Sequence, residues 1–490
     1  MKLYPTVRKI SSLLWSALLP AALFSAETKP NIIFILADDL GYGDVGAYGQ
    51  KMIQTPNLDK MAQEGMRFTD FYAGSTVCSP SRASLMTGKH MGTATIRQNS
   101  ANEVALRDDD VTIPEVLRTA GYYNGTIGKW GMGLLESTGA PLKQGLDSFY
   151  GYVDQKHAHN SYPEFLIRDT QVEKLRNVVP NASPRGDGIA TVRLDFTQTL
   201  FTEEALKFIS TKRDKPFFLY LAYIIPHANN EVPKNKRAEG SGMEIPSDAP
   251  YTNRDWPQAE KNKAAMITWM DKDIGLIMAR LKELGIDDNT LVMFSSDNGP
   301  HDEGGNDPEF FKSSGPLTGI KRDLYDGGVR VPMIARWPNK ISANTVVSEP
   351  FAFWDVLPTL AELVAAPNTP ATDGISFLPT LLGKPQVNKQ PYYYWEFNSK
   401  GSMQSVRVGN WKAVRTGLQT SSEGTMELYN LADDIGEKNN VASSNPEVVE
   451  SMKKIMLKAH VKSDAFPLGD WEAPATEGKP SKKKKNVDAE

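Results

Sequence analysis

One cysteine, Cys78, stands in the string Cys78-Ser79-Pro80-Ser81-Arg82, followed by Leu85 and by Thr87-Gly88. A single cysteine cannot close an internal disulfide, so its thiol is either a small buried hydrophobe or a chemical handle. Other groups suited to chemistry are scattered along the chain. They are the acidic pairs Asp38-Asp39 and Asp297-Asn298, Lys129 in Gly128-Lys129-Trp130, His227 after Pro226, and Lys321 in Gly319-Ile320-Lys321-Arg322. Several carboxylates with a carboxamide form a hard oxygen set, which selects Ca2+ or Mg2+ rather than zinc. Lysines neutralise an anion, and a histidine with an ordinary pKa near 6.5 can pass a proton at neutral pH. Taken singly, the acids read as exposed loop residues and the histidine as structural.

The elements that must position these groups are legible. The run from Asn31 to Ala37 is apolar throughout and ends in Asp38-Asp39-Leu40-Gly41. Continuous apolarity of this length predicts a strand buried on both faces, as in parallel α/β sheets. Further strands are predicted around Thr126-Ile127-Gly128, over Phe217 to Ile225 and over Thr290 to Ser296. Helical patterns start at Thr55-Pro56 and at Thr112-Ile113-Pro114, and run over Phe201 to Ile209 and Lys261 to Leu284. Alternating strands and helices predict an α/β fold, a mostly parallel central sheet with helices on both faces. Asp38, Lys129, His227 and Asp297 each follow a strand, and open sheets of this kind gather their sites at the carboxyl ends of strands. Cys78 precedes the helix-like Pro80 to Met86, where backbone N–H groups favour an anion. Beyond about residue 380, Pro391 to Phe397 and Ser405 to Val414 read as strands with a Gly409-Asn410 turn, and Pro446 to Val461 as a helix.

The pattern C-x-P-S-R-x-x-x-L-x-T-G resembles the signature of type I sulfatases, in the alkaline phosphatase superfamily. In that family the cysteine is oxidised to formylglycine after translation. The resemblance runs from Asn31 to about Val414 and implies the alkaline-phosphatase-like fold, with calcium as the usual ion and magnesium as the alternative. It carries Asp38, Asp39, Asp297, Asn298 and the residue at 78 over as the metal shell. It assigns Arg82 to holding the nucleophile and the ligating carboxylates, Lys129 and Lys321 to clamping sulfate, and His227 to protonating the leaving alcohol. Asp326-Gly327-Gly328-Val329-Arg330-Val331-Pro332 is similar to the family's E-G-G-x-R-x-P segment, with Asp326 in the glutamate place. The hydrated aldehyde offers two hydroxyls on one carbon: one attacks sulfur, and the other, once deprotonated, expels sulfate. A formylglycine-generating enzyme is thereby an implied partner.

The sequence departs from the family at Gly131, where G-K-W is commonly followed by a histidine that deprotonates the second hydroxyl. An extended segment would point His157 and His159 to one side. Either is therefore expected to enter the pocket, touching substrate or replacing that base; two exposed loop histidines are the alternative. Tyr150, Tyr152, Tyr162 and Trp256 could stack on sugar rings or pack the loops down.

A net charge of −4, 40% apolar and 23% charged residues describe an ordinary globular protein. The basic residues are dispersed outside the extreme C-terminus, which argues against a nucleic-acid partner. Lys2, Arg8 and Lys9 precede the apolar Ser11 to Ser25, a secretory signal too short to span a bilayer. No cysteine follows it to carry a lipid, so no membrane anchor is expected. The expected organisation is a signal peptide at 1–26, a catalytic domain at 27–380, a C-terminal antiparallel-sheet subdomain with a helix at 381–475, and a basic tail at 476–490 around Lys482 to Lys485. The reading is a periplasmic or secreted hydrolase of sulfate esters on a polysaccharide or glycosaminoglycan fragment. A phosphate or phosphonate ester hydrolase and a catalytically silent glycan-binding relative are the rivals.

Overall fold

A computed structural model describes residues 1–2, 29–99 and 104–472. The expected signal peptide and basic tail lie outside the described residues. Sixteen strands are described: β1 (Asn31–Ala37), β2 (Met66–Phe68), β3 (Phe71–Tyr72), β4 (Tyr123–Lys129), β5 (Ser148–Tyr152), β6 (Phe165–Arg168), β7 (Gln171–Lys174), β8 (Phe217–Ala222), β9 (Thr290–Ser296), β10 (Met333–Arg336), β11 (Thr345–Val347), β12 (Phe351–Ala352), β13 (Tyr393–Phe397), β14 (Met403–Val408), β15 (Trp411–Thr416) and β16 (Thr425–Asn430). The longer helices are α1 (Pro56–Gln63), α2 (Cys78–Thr87), α3 (Ile113–Thr119), α4 (Thr197–Ser210), α5 (Gln258–Glu283), α6 (Val356–Leu363) and α7 (Pro446–Ala459).

Ten strands form one sheet in the order β11-β2-β10-β9-β1-β8-β4-β5-β6-β7. Its centre, β9-β1-β8-β4-β5, is parallel. The flanks are mixed: β10 runs antiparallel to both neighbours, as does β6, while β11 pairs parallel with β2. The expected mostly parallel central sheet is borne out, with antiparallel pairings making the ten-stranded sheet mixed toward its edges. Residues of β1 alternate between two cores. Ile32, Phe34 and Leu36 meet α3 and α6 on one face, while Ile33, Ile35 and Ala37 meet α1, α4 and α5 on the other. That two-sided burial is the reason for the unbroken apolar run, each such side chain contributing roughly 1.5–3 kcal/mol.

In β4, glycines blur the strand pattern for a packing reason. A Cβ on Gly125 would meet the Phe208 ring at 2.3 Å, and one on Gly128 the Ala222 carbonyl oxygen at 1.9 Å.

A separate four-stranded antiparallel sheet, β13-β14-β15-β16, carries α7 against one face through Met452 and Met456. Gly409-Asn410 is the β14–β15 turn, with Gly409 at φ +58°. Strand β16, half-buried and polar in pattern, had no counterpart in the sequence reading. Buried ion pairs bind this unit to the large sheet: Lys412–Asp326 at 2.6 Å, Arg407–Asp70 at 2.7 Å and Arg97–Glu396 at 2.7 Å. Among the described residues, no helix is long and apolar enough to cross a membrane.

Candidate active site

The carboxyl ends of β1, β8 and β9 are tied together by their own backbones. Asp38 N–H donates to the Ile225 carbonyl, and Asp297 N–H to the Ala37 carbonyl. Asp39 adopts φ +66°, a conformation uncommon for a side-chain-bearing residue, and its N–H donates to Asp297 Oδ1 at 3.1 Å. The two acidic pairs thus become one cluster although 258 residues separate them.

Cys78 is the first residue of α2 and is wholly buried. Its Sγ lies 3.2 Å from Asp38 Oδ1 and 3.9 Å from Asp39 Oδ1. Burial and the neighbouring Asp38 hold the thiol well above its usual range, so it is a neutral thiol and not a thiolate nucleophile.

Each acid of the first pair has its own lysine. Lys129 Nζ is 2.7 Å from Asp38 Oδ2, and Lys321 Nζ is 2.8 Å from Asp39 Oδ2. Burial works to raise both carboxyls. For Asp38, Lys129, His227 and Arg82 outweigh burial and hold it well below the carboxylate range; Asp39 is lowered by Lys321 and His227. Asp297 goes the other way, pushed up to about 7 by burial and Asp38 despite Arg82. Arg82 grips Asp297 Oδ2 from Nε (3.0 Å) and Nη2 (2.7 Å) and donates from Nη1 to the Lys129 carbonyl at 2.8 Å. Asn298 donates from Nδ2 to Asp39 Oδ1 at 2.7 Å, while its Oδ1 is buried without a partner among the described residues. An acceptor oxygen left free among three carboxylates is what an oxygen-ligated divalent cation requires, so the donor set fits calcium or magnesium.

His227 follows β8. Its Nδ1 lies 2.6 Å from the Ala228 carbonyl, which assigns the ring proton to Nδ1 and turns Nε2 toward Lys321 Nζ at 3.1 Å. Burial and the Lys321 cation depress its pKa well below the usual value.

Of the two loop histidines, the structure brings only one to the cluster. The segment His157–His159 is a 3-10 turn, so its side chains diverge where an extended segment would align them. The His159 ring stacks on His227 at 4.8 Å. His157 instead packs against Tyr152 and Phe165, at 4.9 and 4.5 Å between ring centres, which corrects the expectation that it enters the pocket. Tyr150, Tyr152 and Tyr162 are buried, and Trp256 stacks on Tyr251, so these rings pack the loops down. Asp326 is a junction residue holding Lys412, Arg330 and the Tyr72 hydroxyl.

Three residues of the cluster went unnoticed in the sequence. Glu303 pairs with Lys321 at 3.0 Å and Arg322 at 2.5 Å, and His301 Nδ1 accepts from Glu303 N–H at 3.0 Å. His301 stands three residues after Asn298 in Asp297-Asn298-Gly299-Pro300-His301, a proximity that could have flagged it.

Two family models match the chain: the sulfatase model over residues 30–366 and the N-sulphoglucosamine sulphohydrolase C-terminal model over residues 320–462. Human arylsulfatase A is 32% identical over 482 residues, covering 89% of each chain. The N-acetylgalactosamine-6-O-sulfatase of Bacteroides thetaiotaomicron is 30% identical over 496 residues, covering 87% of this chain and 92% of that one. Among solved structures, Ps i-CgsB, also crystallised in complex with k-i-k-neocarrahexaose, superposes with a TM-score of 0.71 at 28% identity, covering 88% of this chain and 92% of that one.

Proposed function

The chain belongs to the sulfatase family, and we propose that it hydrolyses sulfate esters on a polysaccharide or glycosaminoglycan fragment, using formylglycine made from Cys78. One observation carries this reading: Cys78 opens a helix within 4 Å of an acidic pair whose two carboxylates each bear a separate lysine. The names of relatives that act on N-acetylgalactosamine sulfates, and a neighbour's complex with a carrageenan-type hexaose, support a carbohydrate substrate.

In this reading Lys129 and Lys321 take the sulfate oxygens and offset the charge that grows on them. Arg82 keeps Asp297 and the end of β4 in fixed relation to residue 78. His227 faces the departing alcohol oxygen through Nε2, which takes up a second proton from solvent on substrate binding and then passes it to that oxygen. Burial and Lys321 disfavour its charged form, so an imidazolium formed there gives up its proton readily. Asp38, Asp39, Asp297 and Asn298 would hold a calcium or magnesium ion, which would supply positive charge to the nucleophilic oxygen. The hydrated aldehyde at 78 would supply a hydroxyl nucleophile and a second hydroxyl for sulfate release. Periplasmic or secreted placement, an export signal and a formylglycine-generating partner complete the proposal.

The test is sulfate release from a panel of sulfated mono- and oligosaccharides, with matched phosphate esters. The protein is co-expressed with a formylglycine-generating enzyme, and Cys78→Ala is run alongside. Sulfate release that vanishes in Cys78→Ala is expected. Faster phosphate release would favour the phosphoester rival, and calcium-dependent glycan binding without release the silent one.

A further inference from the structure

Gly131 lies two residues beyond Lys129 with φ +71°, and the space beside it is already taken. A Cβ at 131 would stand 2.9 Å from Gln155 Oε1 and 3.3 Å from Ser79 Oγ. Ser79, the residue after Cys78, donates from Oγ to Gln155 Oε1 at 3.0 Å and from its backbone N–H to Asn99 Oδ1 at 2.9 Å. Gln155 comes from the loop after β5, the strand beside β4, and is only 5% exposed. Its Oε1 is thus committed to Ser79, whereas its Nε2 is buried with no partner among the described residues. A buried amide donor without an acceptor is costly to leave unmet.

We propose that Gln155 is a substrate-contacting residue, its Nε2 donating to an oxygen of the sulfate group bound at residue 78. This rests on the sulfatase reading above. Glycine at 131 and glutamine at 155 form one unit: the missing side chain admits the amide, and Ser79 fixes its orientation. An amide donates without accepting a proton, so this wall of the site binds the anion and does not act as a base. Any proton leaving the second hydroxyl goes to another acceptor.

The test compares wild type, Gln155→Glu and Gln155→Ala by calorimetric binding of inorganic sulfate in the presence of calcium. Residue 78 maturation is quantified by peptide mass, and kcat and KM are measured on one sulfate ester. Gln155→Glu keeps the shape and the acceptor for Ser79 but replaces the donor with a negative oxygen. Sulfate binding at least tenfold weaker per matured site is expected, with kcat/KM down on the order of 10²-fold. Gln155→Ala should fall between the two. Unchanged sulfate affinity and KM in both variants would overturn the proposal, as would a wild type that binds no sulfate. A matured wild type that binds sulfate but hydrolyses no ester would sink the sulfatase reading, while the Gln155 comparison would still be read from binding.

Discussion

The imidazole of His159 lies flat on that of His227, ring centres 4.8 Å apart and planes 15° from parallel. Its Nδ1 is 3.6 Å from Glu231. The stack fixes the face of the histidine that reaches Lys321 and Asp39 through Nε2. Aromatic pairs are worth about 0.5–1.5 kcal/mol, so His159→Ala is expected to lower kcat up to about tenfold. His159→Phe should retain most of it. Equal turnover in all three proteins would remove His159 from the site.

His157 gives the contrasting case. Burial holds its pKa down at about 3, so the folded protein keeps it neutral. The unfolded chain binds a proton there below about 6.5 and the folded one does not. Stability is therefore lost as pH falls through that window, by at most about 1.4 kcal/mol per pH unit. Melting curves from pH 7 to pH 4 should flatten in His157→Phe, with kcat at pH 7 unaffected.

Arg82 joins Asp297, Asp38 and the Lys129 carbonyl from a fully buried position. Lysine cannot reproduce its planar fork. Arg82→Leu leaves the buried Asp297 carboxylate without its cation and should cost about 3–5 kcal/mol, read as a fall in urea midpoint. Arg82→Lys should retain part of the stability but lose most turnover.

Chelation should act on stability and rate together. Calcium at 100 times its Kd stabilises by about 2.7 kcal/mol. EGTA is therefore expected to lower the melting temperature and stop sulfate release, with excess calcium restoring both. Asn298→Ala, which deletes the free oxygen in the cluster, should weaken calcium binding measured by titration. A melting temperature indifferent to EGTA in wild type would refute a resident cation.

His460 clasps the C-terminal unit: Nδ1 is 2.6 Å from Glu396 and Nε2 2.7 Å from Glu472. Burial opposes its charged form, but the two carboxylates prevail and raise its pKa. A raised pKa gives stability fully present below the unfolded value and lost as pH rises through the folded one. The wild-type melting temperature should therefore decline from pH 6 toward pH 9 more steeply than that of His460→Gln.

What the sequence made legible follows from how each residue is buried. Strands β1 and β9 are covered on both faces, and the strands end one residue before Asp38 and Asp297. The candidate residues Asp38, Lys129, His227 and Asp297 were picked out because strand ends meet at a sheet's carboxyl edge. The flanks were less visible, because β10 and β6 are four-residue strands whose direction depends on partners far away. His157 was placed on the wrong side for a different reason: a 3-10 turn and an extended segment share no side-chain direction, and nothing in His-Ala-His distinguishes them. Glu303 stayed hidden because its meaning lies in Lys321, eighteen residues on.

The complete burial of Cys78 fixes an order of events. Once β1, β8 and β9 have paired, a second enzyme has no path to the sulfur, so the proposed oxidation of Cys78 by another protein requires a chain that has not yet closed. The strands that seal the thiol lie far along the chain, with Asp297 arriving 219 residues after Cys78 (297 − 78). That distance leaves a window during synthesis in which the motif is still an open peptide. A chain that folds first would be sealed with an unoxidised thiol, sound in structure and permanently idle.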